Sequence, residues 1–264
     1  MPEISKHFSL LERFDKLSSI PENEFQNLKN NLHRQGVIHI PNLNFEPQEF
    51  INFAKKLGNL EIVRPEAHRL NGCKYIRLQS NVPGIGIQGG GNYWHSDSPW
   101  SSPPSLYTLL YCIEAPSSGG EIFFVNMVDF LRSLSLSIRE KLKSLKAFYP
   151  CKSILEEEFS QMQIYDKCLI QQMKNIVRDL IQIHPVTQRK FLYLNEKWLS
   201  RILDMTAEES NKILTYLYNE IENYTNKYIH QWKTGDLLIW DNNVVKCLHS
   251  DRKITYRIIV KSMD

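Results

Sequence analysis

The run Ser105-Leu-Tyr-Thr-Leu-Leu-Tyr-Cys-Ile113 constrains this chain more than any other stretch. It carries no charge, is dense in aromatic and apolar side chains, and reads as a strand buried inside a sheet. Leu237-Leu-Ile-Trp240 and Ile254 to Val260 read the same way, as do the shorter Val37-Ile-His-Ile40, Tyr75 to Gln79 and Glu121 to Asn126. His184-Pro-Val186 and Lys190 to Leu194 look like further strand pieces. Turn signals separate these runs at Ala115-Pro-Ser-Ser-Gly-Gly120 and Gly235-Asp236. Helical spacing occurs at Glu22 to Arg34, Pro47 to Leu57 and Phe130 to Leu145. A further helix follows the capping box Thr206-Ala-Glu-Glu209. Strands follow strands across turns and do not alternate with helices. This favours a mainly β (α+β) fold with flanking helices, a jelly roll or double-stranded β-helix, over βαβ units. A single domain is expected over residues 1–264, with a helical or lid insertion around 130–180.

Composition removes several classes of function. The 32 basic and 29 acidic residues leave a net charge of +3, too balanced to argue for nucleic acid or an acidic membrane surface. The first twenty residues carry no apolar run of signal-peptide length, and no stretch approaches the length needed to cross a bilayer. Five cysteines, odd in number and without a Cys-x-x-Cys pair, read as reduced thiols of a cytoplasmic protein. The glycines from Gly84 to Gly91 lack the residues of a phosphate-binding loop. A small-molecule substrate is the expected partner. The oligomeric state stays open, with a homo-oligomer compatible.

Chemistry concentrates in Gly91-Asn-Tyr-Trp-His-Ser-Asp-Ser-Pro99. His95 and Asp97 are metal-ligand types two residues apart, and on a strand such residues share a face. Trp94 and Trp100 bracket them, which reads as a pocket wall. Two histidines and a carboxylate on one side of a cation leave the other side open, an arrangement suited to non-haem Fe(II).

The chain resembles the taurine/2,4-dichlorophenoxyacetate dioxygenase (TauD/TfdA) family of Fe(II)- and 2-oxoglutarate-dependent oxygenases. The resemblance rests on Gly36-Val-Ile-His-Ile with Phe53-Ala-Lys-Lys-Leu-Gly58, Trp94-His-Ser-Asp-Ser98, and Ala115 to Met127. It continues in His184-Pro-Val with Arg189 to Asn195, and in Gly235-Asp-Leu-Leu-Ile-Trp-Asp-Asn242. It implies a dioxygenase that hydroxylates or desaturates a small, anionic or amino-acid-like substrate, using Fe(II), 2-oxoglutarate and O2. It makes His95, Asp97 and His249 the catalytic iron ligands, with Cys247, six residues beyond Asp241, as the alternative to His249. It makes Arg257 the partner of the 2-oxoglutarate carboxylate. Ile122 stands where the family commonly has a threonine that bonds 2-oxoglutarate, and Asn92 is the substitute donor. Lys261 stands where the family often has a substrate-facing arginine; Tyr93, Trp100 and His68 are the other substrate-side candidates. The alternative function is a catalytically weak or inactive jelly-roll binding protein.

Overall fold

In the computed structural model the described residues are 9–10, 20–82, 84–86, 91–102, 104–161, 171, 173–243, 245–249 and 254–263. In chain order the strands are β1 (Ser9–Leu10), β2 (Val37–Ile40), β3 (Asn59–Leu60), β4 (Arg69–Leu70), β5 (Cys73–Ser80), β6 (Tyr107–Glu114), β7 (Ile122–Asn126) and β8 (Lys146–Tyr149). They continue as β9 (Ile176–Asp179), β10 (Ile181–Ile183), β11 (Lys190–Leu192), β12 (Arg201–Ile202), β13 (Lys227–His230), β14 (Leu237–Asp241), β15 (Val245–His249) and β16 (Ile254–Ser262). The helices are α1 (Glu22–Gln35), α2 (Pro47–Leu57), α3 (Met127–Ser133), α4 (Leu136–Leu142), α5 (Cys151–Gln161) and α6 (Ala207–Glu222).

The charge-free run becomes β6, at the centre of the large sheet, ordered β1-β2-β14-β6-β16-β5-β4 with β3 also on β16. Its side chains alternate between two cores, as a pleated strand requires. Leu109 and Tyr111 join Leu237, Ile239, Ile258 and Val260 under α1 and α2. Leu110 and Cys112 join Leu238 and Trp240 on the other face, where they meet Phe124, Val245 and Cys247 of the small sheet β13-β7-β15. Both faces of β6 are therefore covered, which is why its sequence shows no polar alternation. Two sheets face to face are the jelly roll expected from the sequence.

Local chemistry sets the boundaries. Helix α1 stops at Gly36, whose φ of 91° lies in the left-handed region that glycine adopts without a Cβ clash. Gly235 (φ 88°) turns the chain into β14, and a Cβ there would meet the Leu43 carbonyl oxygen at 2.7 Å. The Thr206/Glu209 capping box opens α6 as expected.

Several sequence expectations are corrected. His184 to Val186 is a turn and not a strand piece: β10 ends at Ile183, and the His184 ring receives the turn's own backbone N–H groups. Phe130 to Leu145 is broken into α3 and α4, because Ser135 caps a new helix at Ile138 N. The segment around 130–180 is not only helical. Strands β8 and β9 pair within it, and β12 completes their three-stranded sheet. Periodicity missed β8, β9 and β13 because they are short, with polar alternate residues.

Candidate active site

His95 and Asp97 lie between the two sheets. The expected strand there is reduced to a single pairing, His95 against Cys247 of β15. The run ends at Ser98, whose φ is 49°. His95 N donates to Cys247 O at 3.0 Å and Cys247 N to His95 O at 2.9 Å. The Tyr93 carbonyl lies 2.7 Å from His95 Nδ1 and accepts its hydrogen, leaving Nε2 as the basic nitrogen. The Tyr93 ring packs on the imidazole, with centroids 4.9 Å apart.

Asp97 is tied to the large sheet. Thr108 of β6 donates to Asp97 Oδ2 at 2.7 Å, and Arg257 of β16 meets Oδ1 at 2.6 Å. Asn242 accepts from Asp97 N and donates to Thr108 Oγ1, while the Trp240 indole donates to the same Asn242 oxygen. The Trp-Asp-Asn sequence thus braces the carboxylate from below. Burial pushes the Asp97 carboxyl up, but Arg257, His95 and Thr108 together hold it below the ordinary carboxylate range.

His95 Nε2 and Asp97 Oδ1 stand 3.7 Å apart, and Cys247 Sγ lies 3.8 Å from the same Nε2. Two donors at right angles around a first-row metal are separated by about 3 Å, from metal–ligand lengths near 2.1 Å. A small rotation of either side chain closes that gap, so nitrogen and carboxylate donors here fit a divalent metal of the Fe(II) type. A cation at this position would displace Arg257 as the partner of Oδ1.

Beside the site lies a cavity of about 640 Å³, lined among others by Glu61, Arg64, Arg77, Trp100 and Lys261. Glu61 and Arg77 also line a smaller recess that reaches Arg257. Burial raises the Glu61 carboxyl above its ordinary value, although Arg257, Arg77 and Lys261 pull it the other way. Trp100 packs against Trp198 at 4.8 Å.

Of the residues singled out in the sequence, the structure brings His95, Asp97, Arg257 and Tyr93 together and puts Trp100 and Lys261 on the adjoining cavity. His249 backbone pairs with Ile122; its side chain lies outside the described residues. Ile122 is fully buried among the inner core, and Asn92 is exposed. His68 is 3% exposed, and burial with Arg77 nearby takes its ring down to about 4. Sequence reasoning missed Glu61, Arg77, Thr108 and the role of Asn242. Only Asn242 carried a signal, through its place in the Trp-Asp-Asn motif.

Two further His-His-Asp groups were not foreseen. His33, His184 and Asp241 form one; His39, His230 and Asp236 form the other. In the first, His184 Nε2 and His33 Nδ1 contact Asp241 Oδ2 at 2.9 and 3.3 Å, and Tyr107 OH closes on His33 Nε2 at 3.2 Å. Burial pushes the Asp241 carboxyl up, and the bonds from His184 and His33 reverse this and leave it lowered. This group locks α1, the His184 turn and β14 together, which gives His184 a structural role.

The chain matches the profile of the family described as "Taurine catabolism dioxygenase TauD, TfdA family" over residues 11–253. It is 25% identical over 225 residues to an α-ketoglutarate-dependent sulfonate dioxygenase of Saccharomyces cerevisiae, covering 81% of this chain but only 53% of the yeast protein. It is 27% identical over 250 residues to an α-ketoglutarate-dependent 2,4-dichlorophenoxyacetate dioxygenase of Burkholderia sp., covering 87% and 80%. A taurine dioxygenase structure from Burkholderia xenovorans superposes with a TM-score of 0.81 at 18% identity over 98% of this chain and 88% of that one, a likeness of fold. By profile and by sequence relatives, the chain belongs to the TauD/TfdA family and is a 2-oxoglutarate-dependent non-haem iron dioxygenase, using Fe(II), 2-oxoglutarate and O2.

Proposed function

We propose that His95 and Asp97 supply two of the iron donors, that β15 supplies the third, and that the enzyme hydroxylates or desaturates a small substrate with an anionic end. The observation that carries this is the continuity between Asp97, Arg257 and the cation-lined cavity. Arg257 is at Asp97 Oδ1, and Glu61 and Arg77 link its recess to the cavity that holds Arg64 and Lys261. Iron with 2-oxoglutarate and O2 supplies the oxidising power, the co-substrate leaving as succinate and CO2 while a substrate carbon is oxidised.

The chain's own residues bind and orient. Arg257, which pairs with Asp97 Oδ1 here, would be the residue to hold the distal carboxylate of 2-oxoglutarate, since its planar fork suits two parallel hydrogen bonds. Ile122 has no hydroxyl to offer that carboxylate. Arg64, Arg77 and Lys261 attract an acidic substrate, and Trp100 gives it an apolar wall. The sulfonate and dichlorophenoxyacetate substrates named for the relatives have this shape, and amino acids or small carboxylic acids share it. His68 and Asn92 take no part in this reading. The described cysteines are free thiols, in keeping with a cytoplasmic enzyme, and no helix among the described residues is long and apolar enough to cross a membrane.

The test is succinate release from Fe(II), 2-oxoglutarate and O2 across a panel of small sulfonates, carboxylates and amino acids. Stimulation by an anionic member, lost in Asp97→Ala, is the expected result. Stimulation only by neutral or cationic compounds would overturn the substrate reading.

A further inference from the structure

We infer that Cys247, and not His249, provides the third protein donor of the metal site, giving an imidazole, a carboxylate and a thiolate around one cation. The inference rests on the reading that His95 and Asp97 hold the metal. Strand register carries it. His95 and Cys247 exchange both backbone hydrogen bonds, at 3.0 and 2.9 Å, so they are directly opposed. Directly opposed residues of an antiparallel pair project from the same face. The side chains obey this: Sγ lies 3.8 Å from Nε2, the atom that also stands 3.7 Å from Asp97 Oδ1. His95 Nε2 therefore lies within 4 Å of both Asp97 Oδ1 and Cys247 Sγ, and a metal bound between all three would draw the carboxylate and the sulfur toward each other. The His249 backbone is two residues further along β15, about 7 Å at the rise of a strand, and is paired to the edge residue Ile122 of β7.

A buried cysteine is ordinarily a small apolar packing residue, and Cys247 does contact the inner core. What separates it from Cys112, buried in the same core on the facing sheet, is that the Cys247 sulfur sits against His95, 3.8 Å from the imidazole Nε2 and 3.6 Å from the backbone carbonyl. A thiolate beside Asp97 would give the metal two anionic donors and shift preference toward softer divalent ions.

The experiment uses the full chain, freed of metal by chelation and titrated without oxygen with Co(II) alone. The expected result is a near-ultraviolet sulfur-to-cobalt charge-transfer band saturating with one metal per chain. X-ray absorption should show a Co–S distance of about 2.3 Å. Cys247→Ser should lose the band, and His249→Ala should keep it. Co(II) that binds and is lost in His95→Ala, yet shows no sulfur band in the wild type, would overturn the inference and leave the His95/Asp97 reading standing. A band that survives in Cys247→Ser would overturn the inference as well. No Co(II) binding, or binding indifferent to His95→Ala, would overturn both. The wild-type spectrum decides even where a variant fails to fold.

Discussion

Two buried clusters in this molecule are built from nearly the same side chains, and their spacing separates them. In the His33/His184/Asp241 group the polar atoms close on one another. Val186 N and Thr187 N donate to His184 Nδ1, which leaves Nε2 to donate to Asp241, and Asn243 fills Asp241 Oδ1. In the His95/Asp97/Cys247 group the inward-facing atoms stand 3.7 and 3.8 Å apart. The nitrogen–oxygen separation is beyond hydrogen-bond length and close to the span across a cation. In the closed group the polar atoms bond one another, whereas in the open one His95 Nε2, Asp97 Oδ1 and Cys247 Sγ stand apart, with Arg257 on Oδ1. Residue type alone would rank the first as the better metal site, since it has two histidines.

The comparison is most sharply tested by removing the carboxylates. Asp97→Ala is expected to reduce succinate release to background and abolish Co(II) binding, while circular dichroism shows the fold retained. Asp241→Ala is expected to destabilise by about 3–5 kcal/mol, because it leaves buried imidazoles uncompensated, as read by urea unfolding. If Asp241→Ala loses the metal with stability unchanged, the two roles are exchanged.

pH offers the next test. The lowered Asp241 carboxyl stabilises the fold fully above its unfolded value of about 3.9, and that stability is lost as pH falls through its folded value. His68 acts in a different window. Its ring titrates near 4 when folded and about 6.5 when unfolded, so the unfolded chain takes up the proton first. Stability should therefore fall as pH drops from about 6.5 to 4, by on the order of 3 kcal/mol, and His68→Gln should flatten that slope. An unchanged slope in the variant would contradict the burial of His68.

A smaller effect is expected at the cavity. Lys261→Ala should raise KM for an acidic substrate by about tenfold, the loss of one charged contact, with KM for 2-oxoglutarate unchanged. Arg257→Lys should do the reverse, since an ammonium cannot replace the fork. The smallest effect is at the surface: Thr206→Ala should cost about 1 kcal/mol in unfolding and leave every kinetic constant alone.

Much of this was legible in the sequence. The charge-free β6, the strands β14 and β16, the capping box of α6 and the glycine stop of α1 follow from local rules about burial, caps and turns. His95-x-Asp97 was visible because its ligand types fall within three residues. Other features required distant segments to meet. Glu61, Arg77 and Lys261 share a cavity only because β3, β5 and β16 pack side by side. His33 and Asp241 meet across 208 residues. The sequence reading favoured His249 with Cys247 as the alternative; the two are two residues apart, and a strand places such residues on one face. Only the pairing register, fixed by two backbone hydrogen bonds to His95, decided that Cys247 stands opposite the metal motif. Register is a property of two strands at once, and one strand's sequence does not contain it.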